Sequence, residues 1–191
     1  GLKLSRGGLS HLLQRAATRV QPMWDELVTR IRGSAAVFAD ETSWYVGEPK
    51  WWLWVFTTPT ATLYRVEQNR GAEIVRETLG DGFGGMLVSD CLASYDSVDY
   101  RKHKCFAHHL RALKEQTEAL ATRGITSGYL AAWKWVLKQV IDTCDRRDEF
   151  SPADWGARVL DLRRQVERLL NRSPPEAEEA KFRNRLVKQR R

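Results

Sequence analysis

Apolar residues recur at spacings of three and four from Leu12 through Leu13, Ala16, Val20, Met23 and Leu27 to Ile31, which predicts a helix over 10–31. Pro22 falls inside it and is expected to interrupt it, because proline lacks the N–H that the turn requires. After Gly33-Ser34 the texture becomes that of strands. Ala35 to Asp40 is short and apolar, Trp51 to Thr57 is aromatic and β-branched, and Thr62 to Val66 alternates. Gly47-Glu48-Pro49-Lys50 and Thr58-Pro59-Thr60 supply turns between them, so the three strands are predicted to form an antiparallel meander. Both alternating sets of Trp51 to Phe56 are apolar, which calls for cover on both faces of the sheet and places the chain in the α/β class.

Residues 71–79 pair Ile74 with Thr78 and Val75 with Leu79 and end at Gly80, the pattern of a helix closed by glycine. Met86 to Asp90 is a short buried strand stopping at an acid, Lys102 to Ala107 a fifth strand, and His108 to Ala121 a helix. From Ser127 the pattern is helical throughout. Leu130, Trp133, Leu137, Val140, Ile141 and Cys144 make one stripe, and Trp155, Val159, Leu162, Val166, Leu169 and Leu170 make a second. Ser151-Pro152-Ala153-Asp154 caps the second helix, and the two are expected to pack as a hairpin. Ser173-Pro174-Pro175 breaks the pattern before a basic tail, expected to be helical only when covered.

The 191 residues suffice for a domain with its own core, and 42% apolar with 29% charged residues is the composition of a soluble globular chain. The longest apolar run, Trp51 to Phe56, is far short of the roughly 20 residues of a membrane span, so no membrane partner is expected. The first residues carry no secretory pattern, and the chain is expected to begin inside a longer protein or after a cleavage. Cys91, Cys105 and Cys144 are odd in number and widely spaced, which favours a reducing cytoplasmic compartment. Charge is uneven. Residues 1–34 hold six basic and two acidic side chains, residues 35–106 seven and ten, and residues 107–191 eighteen and twelve. Basic arms attract a polyanion, whereas clustered carboxylates in the middle would take cations.

Asp40 and Asp90 stand out because each follows a buried apolar run, where a carboxylate is costly unless a cation sits beside it. On neighbouring strands, about 4.8 Å apart, both would reach one ion. Hard oxygen ligands suit magnesium or manganese, and two such ions about 3.5 to 4 Å apart serve in-line attack on a phosphodiester. The competing reading makes each acid a turn former, with Asp90 capping a following helix. Cys105 and His108 offer two zinc ligands at a plausible spacing, but a buried cysteine ending a strand and histidines opening a helix fit as well, so no zinc is expected. Glu41 would point to the opposite face from Asp40 and is read as structural, and His103 as solvated or satisfied. Among the eight tryptophans, Trp51, Trp52, Trp54, Trp133 and Trp155 lie on apolar strands or stripes and are read as core. The better DNA candidates are basic: Arg158, Arg163, Arg164, Arg168 and Arg172 on one helix, then Lys181, Arg183, Arg185, Lys188, Arg190 and Arg191. A solvated helix exterior is the equal alternative.

Three ordered stretches carry a resemblance: AVFADETSWYVGEPKWWLWVFTTPTATLYRV, RGAEIVRETLGDGFGGMLVSDCLASYD and KCFAHHLRALKE. Together, from about Ala35 to Glu115, they resemble the catalytic region of the insertion-sequence-sixty-six family of bacterial DDE transposases. The resemblance implies a ribonuclease-H-like fold, a mixed five-stranded sheet flanked by helices. It implies an N-terminal helical segment over 1–34, a partial catalytic core over 35–126 and a helical insertion with its basic tail over 127–191. By it, Asp40 matches the first catalytic aspartate and Asp90 the second, together holding magnesium or manganese in a two-ion site. His108 matches a histidine that orients the site. DNA is the implied partner, as transposon ends and target, and the active assembly is implied to be a homo-oligomer. The family's third acid lies in an Asn-Asn-x-x-Glu-Arg segment, which these 191 residues do not contain. The expectation is therefore a fragment or truncated transposase, incomplete for DNA cleavage and strand transfer. The alternatives are a non-catalytic DNA-binding remnant of the same fold and a nuclease acting by hydrolysis alone, with Glu149, Asp154 or Glu167 as third ligand.

Overall fold

A computed structural model describes residues 3, 5–45 and 47–189, in two compact units, Gly1–Lys104 and Cys105–Arg191. The first unit is an α/β layer. Its elements are α1 (Arg6–Arg32), β1 (Ala36–Trp44), β2 (Trp51–Thr57), β3 (Thr62–Glu67), α2 (Ala72–Leu79), β4 (Met86–Ser89), α3 (Ala93–Asp96) and β5 (Arg101–Lys104). The five strands form one mixed sheet in the order β3-β2-β1-β4-β5. The meander is antiparallel as the turn chemistry predicts, while β1 runs parallel to β4 and β4 parallel to β5.

Three sequence expectations are corrected. Helix α1 runs unbroken through Pro22, since the single hydrogen bond lost there is outweighed by 27 residues of otherwise regular turns begun by the Ser5 cap. Strand β1 continues past Asp40 to Trp44, because β2 supplies partners as far as Trp44↔Trp51. Strand β5 stops at Lys104, where Cys105 turns the chain into a helix, so the expected run to Ala107 is shortened. Among the described residues of the first unit, the helices cover one face of the sheet. Val28 and Ile31 of α1, Ile74, Val75 and Leu79 of α2 and Tyr95 of α3 pack on Val37, Ala39, Trp54, Phe56, Leu63 and Leu87. On the other face Phe38, Tyr64 and Val66 remain exposed.

Residue parity assigns the faces of β1. Val37 and Ala39 are buried, Phe38 and Asp40 exposed. Glu41 follows the inward parity, and its side chain is only 1% exposed. Its Oε1 accepts bonds from Nε (2.9 Å) and Nη2 (2.5 Å) of Arg70, and its Oε2 accepts from the Tyr95 hydroxyl at 2.5 Å. Ser94 donates to the Arg70 carbonyl at 2.5 Å, closing a ring that ties β1 to α3. Arg70 also lies over the half-buried Trp52, 4.4 Å from the ring centre, and Lys50 sits over the same ring. Burial pushes the Glu41 carboxyl above its ordinary range and the charge of Asp90 adds to this, while the bonds from Tyr95 and Arg70 oppose it. The Tyr95 hydroxyl is raised too, by burial and by the carboxylate it faces.

The second unit is helical: α4 (Phe106–Ala121), α5 (Gly128–Asp145), α6 (Pro152–Leu170) and α7 (Ala177–Lys188), with a 3₁₀ turn at Arg147–Glu149. Helices α5 and α6 pack together as the stripes predict, and α7 lies on α4. The tail is helical because it is covered: Phe182 joins Leu113, Leu120, Tyr129, Leu130, Trp133 and Leu170 in one core. Ser127 caps α5 and also donates to Glu179, whose other oxygen accepts from the Glu176 amide, so one buried carboxylate joins the starts of α5 and α7. Trp133 packs edge-on against both Tyr129 and Phe182.

Two outcomes follow from this packing. Trp133 is 1% exposed, and its indole N–H finds no acceptor among the described residues. Trp133→Ala should therefore cost about 3–5 kcal/mol in denaturant unfolding, whereas Trp133→Phe, which also deletes an unpaired donor, should cost clearly less. For Glu41, the raised folded value means that the native state binds more protons than the unfolded chain above about pH 4.5. Stability relative to Glu41→Gln should therefore fall as pH rises from about 4.5 through the folded pKa. Denaturation of both forms at stepped pH checks the sign.

Candidate active site

Asp40 lies in mid-strand on the exposed face of β1, and Asp90 is the first residue beyond β4. The parallel register pairs Ala36 with Met86, Val37 with Leu87 and Phe38 with Val88. Asp40 and Asp90 each come two residues after that last pair, toward the same end of the two parallel strands. Burial serves this placement: Leu87 and Ser89 are buried, anchoring β4, while Val88 and Asp90 are half-buried on the other parity.

Each carboxylate has one oxygen committed locally. Asp40 Oδ1 accepts from the Glu41 amide at 3.0 Å, and Asp90 Oδ1 accepts from the Leu92 amide at 2.8 Å. The second is an Asx turn, so Asp90 does shape the entry to α3, but as a turn former and not as the cap, which is Leu92. The Oδ2 atoms of both make no hydrogen bond among the described residues. Lys104 steadies the turn from β5: its Nζ donates to the Asp90 carbonyl at 3.0 Å and pairs with Asp96 at 2.6 Å. Glu41 belongs to the opposite face and is used up by Arg70 and Tyr95, as its parity anticipates. Sequence reading did not find Arg70 or Tyr95 as its partners. They lie 29 and 54 residues away, and nothing local in either stretch marks the pairing.

Among the described residues no three His, Cys, Asp or Glu side chains converge as a metal-binding group. Carboxylates of this kind still match the way magnesium is commonly held, by one or two carboxylates with water and substrate phosphate completing the shell. Cys105 precedes α4 as its N-cap residue, and His108 and His109 occupy the first turn, where His108 Nδ1 is buried without a partner among the described residues. These residues belong to the second unit.

The basic candidates divide by what they already hold. Arg163, Arg164, Arg168 and Arg172 are exposed along α6 and its end, and Lys181 is exposed on α7. Arg183 is half-buried and donates through Nε to the Leu170 carbonyl at 2.6 Å, closing the end of α6. Arg185 is half-buried with an unpaired Nε, and Arg158 is taken by Gln139 and Thr143. Arg190 and Arg191 lie outside the described residues.

The family model described as "Transposase IS66 family" matches residues 1–191. A protein of Sinorhizobium fredii (strain NBRC 101917 / NGR234), described as "Uncharacterized protein y4qI", is 29% identical over 113 residues, which covers 51% of this chain and 21% of that protein. The chain thus spans about a fifth of the length of that curated relative. No solved structure matches the chain. No helix among the described residues is long and apolar enough to cross a membrane. With the whole of residues 1–191 matched by that one model, the chain belongs to the IS66 family of transposases.

Proposed function

We propose that this chain is part of the DNA-cutting and strand-transfer machinery of a bacterial transposase, with a ribonuclease-H-like core over 35–126 and a helical insertion over 127–191. The observation that supports the reading is the parallel pairing of β1 with β4, which leads Asp40 and Asp90 toward the same end of the sheet. Family membership supports DNA as substrate. The strand order β3-β2-β1-β4-β5, with a single antiparallel meander feeding two parallel strands, supports the ribonuclease-H-like assignment.

In this reading Asp40 and Asp90 hold a divalent cation, magnesium or manganese, through the oxygens their local turns leave open. Such an ion, when bound, supplies positive charge to the attacking and leaving oxygens of an in-line phosphodiester exchange. The protein's part is placement. Parallel β1 and β4 lead to the two acids, the Asx turn shapes the chain at Asp90, and Lys104 holds the carbonyl behind it. The third acid of such a site is not identified among these residues. Exposed Arg163, Arg164, Arg168 and Lys181 bind DNA phosphates, with Arg183 and Arg185 contributing through the parts of their side chains not used inside the fold. The active assembly in this reading is a homo-oligomer working in the cytoplasm.

Two measurements test this. Manganese binding followed by paramagnetic resonance should show a site on the full chain that Asp40→Asn and Asp90→Asn each weaken by more than the 10–100-fold of an outer-shell loss. Equal binding by the wild type and both variants would refute the carboxylate pair. Duplex DNA affinity should fall steeply with salt, by about 0.9 in log–log slope for each phosphate contacted. A flat salt dependence would instead remove the basic helices from the reading.

A further inference from the structure

Trp135 has no place in the core of the helical unit. Two residues earlier, Trp133 fills the space among Tyr129, Phe182 and Leu130, and the roughly half turn between them sends Trp135 outward, where it is 52% exposed. It does not stand on open surface. Trp135, with Ala132 and Val136 of α5 and Arg168, Leu169 and Arg172 of α6 and its end, lines a groove of about 220 Å³. Val136 and Leu169 are themselves buried, so the apolar surface the groove offers is chiefly the indole ring.

Positive charge surrounds the ring: Arg164 and Arg168 stand one turn apart on α6, about 6 Å along the axis, Arg172 follows just past its end, and all three are exposed. Arg158 and Arg183, by contrast, are already engaged inside the unit. Lys138, one turn beyond Trp135 on α5, is exposed as well. An aromatic plate flanked by exposed guanidinium groups matches one chemistry, a flat base between phosphates, because stacking needs only a π face and guanidinium pairs with phosphate bidentately. The volume lies below the 300–1,000 Å³ range of drug-sized ligand sites. A partner helix would need a broad apolar face that this groove lacks.

We propose that the groove between α5 and α6 binds an unpaired base of a DNA strand, Trp135 stacking on the base while Arg168 and Arg172 hold the flanking phosphates. The proposal rests on the DNA-handling reading above and adds to it a site for a base outside the duplex. It does not involve Asp40 or Asp90.

Fluorescence anisotropy of the full chain with a labelled oligothymidylate, a duplex of equal length and an oligothymidylate carrying abasic positions tests it. Trp135→Ala should weaken single-strand binding about 5- to 100-fold and leave duplex binding nearly unchanged, whereas Trp135→Phe should keep most of the affinity. The abasic strand should bind the wild type as weakly as the intact strand binds Trp135→Ala. Arg168→Ala and Arg172→Ala should each lower the single-strand salt slope by about 0.7. Single-strand binding unaffected by Trp135→Ala, in a variant whose unfolding midpoint matches the wild type, overturns the groove and leaves the DNA reading standing. Failure of the wild type to bind either strand form overturns both, and selective capture of an amphipathic peptide in place of DNA reassigns the groove to a protein partner.

Discussion

The pairing of β1 with β4 is the constraint on which the first unit depends. It is the one junction in the sheet between the locally made meander and the parallel half, and its register decides which side chains share a face. Because side chains alternate with a period of two, a slip of one residue would carry Asp40 to the helix-covered face and bring Glu41 out. Val37 and Ala39 guard against that slip, since both are buried and each would become exposed.

Two consecutive carboxylates thereby meet opposite fates. Glu41 is buried under helix and loop and needs a cation and a hydroxyl to sit there at all. Asp40 stays on the open face with one oxygen uncommitted. The ring from Glu41 through Arg70 and Ser94 to Tyr95 reaches α3, the helix that follows the Asp90 turn, so the two aspartates are steadied from the far side of the sheet by groups that never touch them. The helical unit repeats the device with Glu179, a buried acid bridging two helix starts.

Much of this was legible in the residues. Periodicity placed the meander, β4, the α5–α6 pair and the inward parity of Glu41, because each is encoded within a few positions. What misled was competition between local and tertiary terms. Pro22 reads as a break, yet a long capped helix absorbs it, and Asp40 reads as a strand end, yet β2 extends the ladder beyond it. The pairing of Glu41 with Arg70 and Tyr95, the use of Arg183 to close α6 and the groove at Trp135 depend on contacts between segments distant in sequence. Adjacent tryptophans such as Trp133 and Trp135 differ only in which way one helical turn faces, and the stripe of α5 assigned the first correctly while leaving the second without a role.

The same junction has a bearing on how the chain is made. Residues paired across β1 and β4 are fifty positions apart, with two strands and a helix between them. Until Met86–Ser89 has emerged from the ribosome, one whole edge of β1 offers unpaired amides and carbonyls beside the exposed Phe38 ring. An open edge of that kind is a template for pairing with another chain. The nascent polypeptide is therefore at its most adhesive during the short interval of synthesis between the meander and β4, when a chaperone has the most to protect.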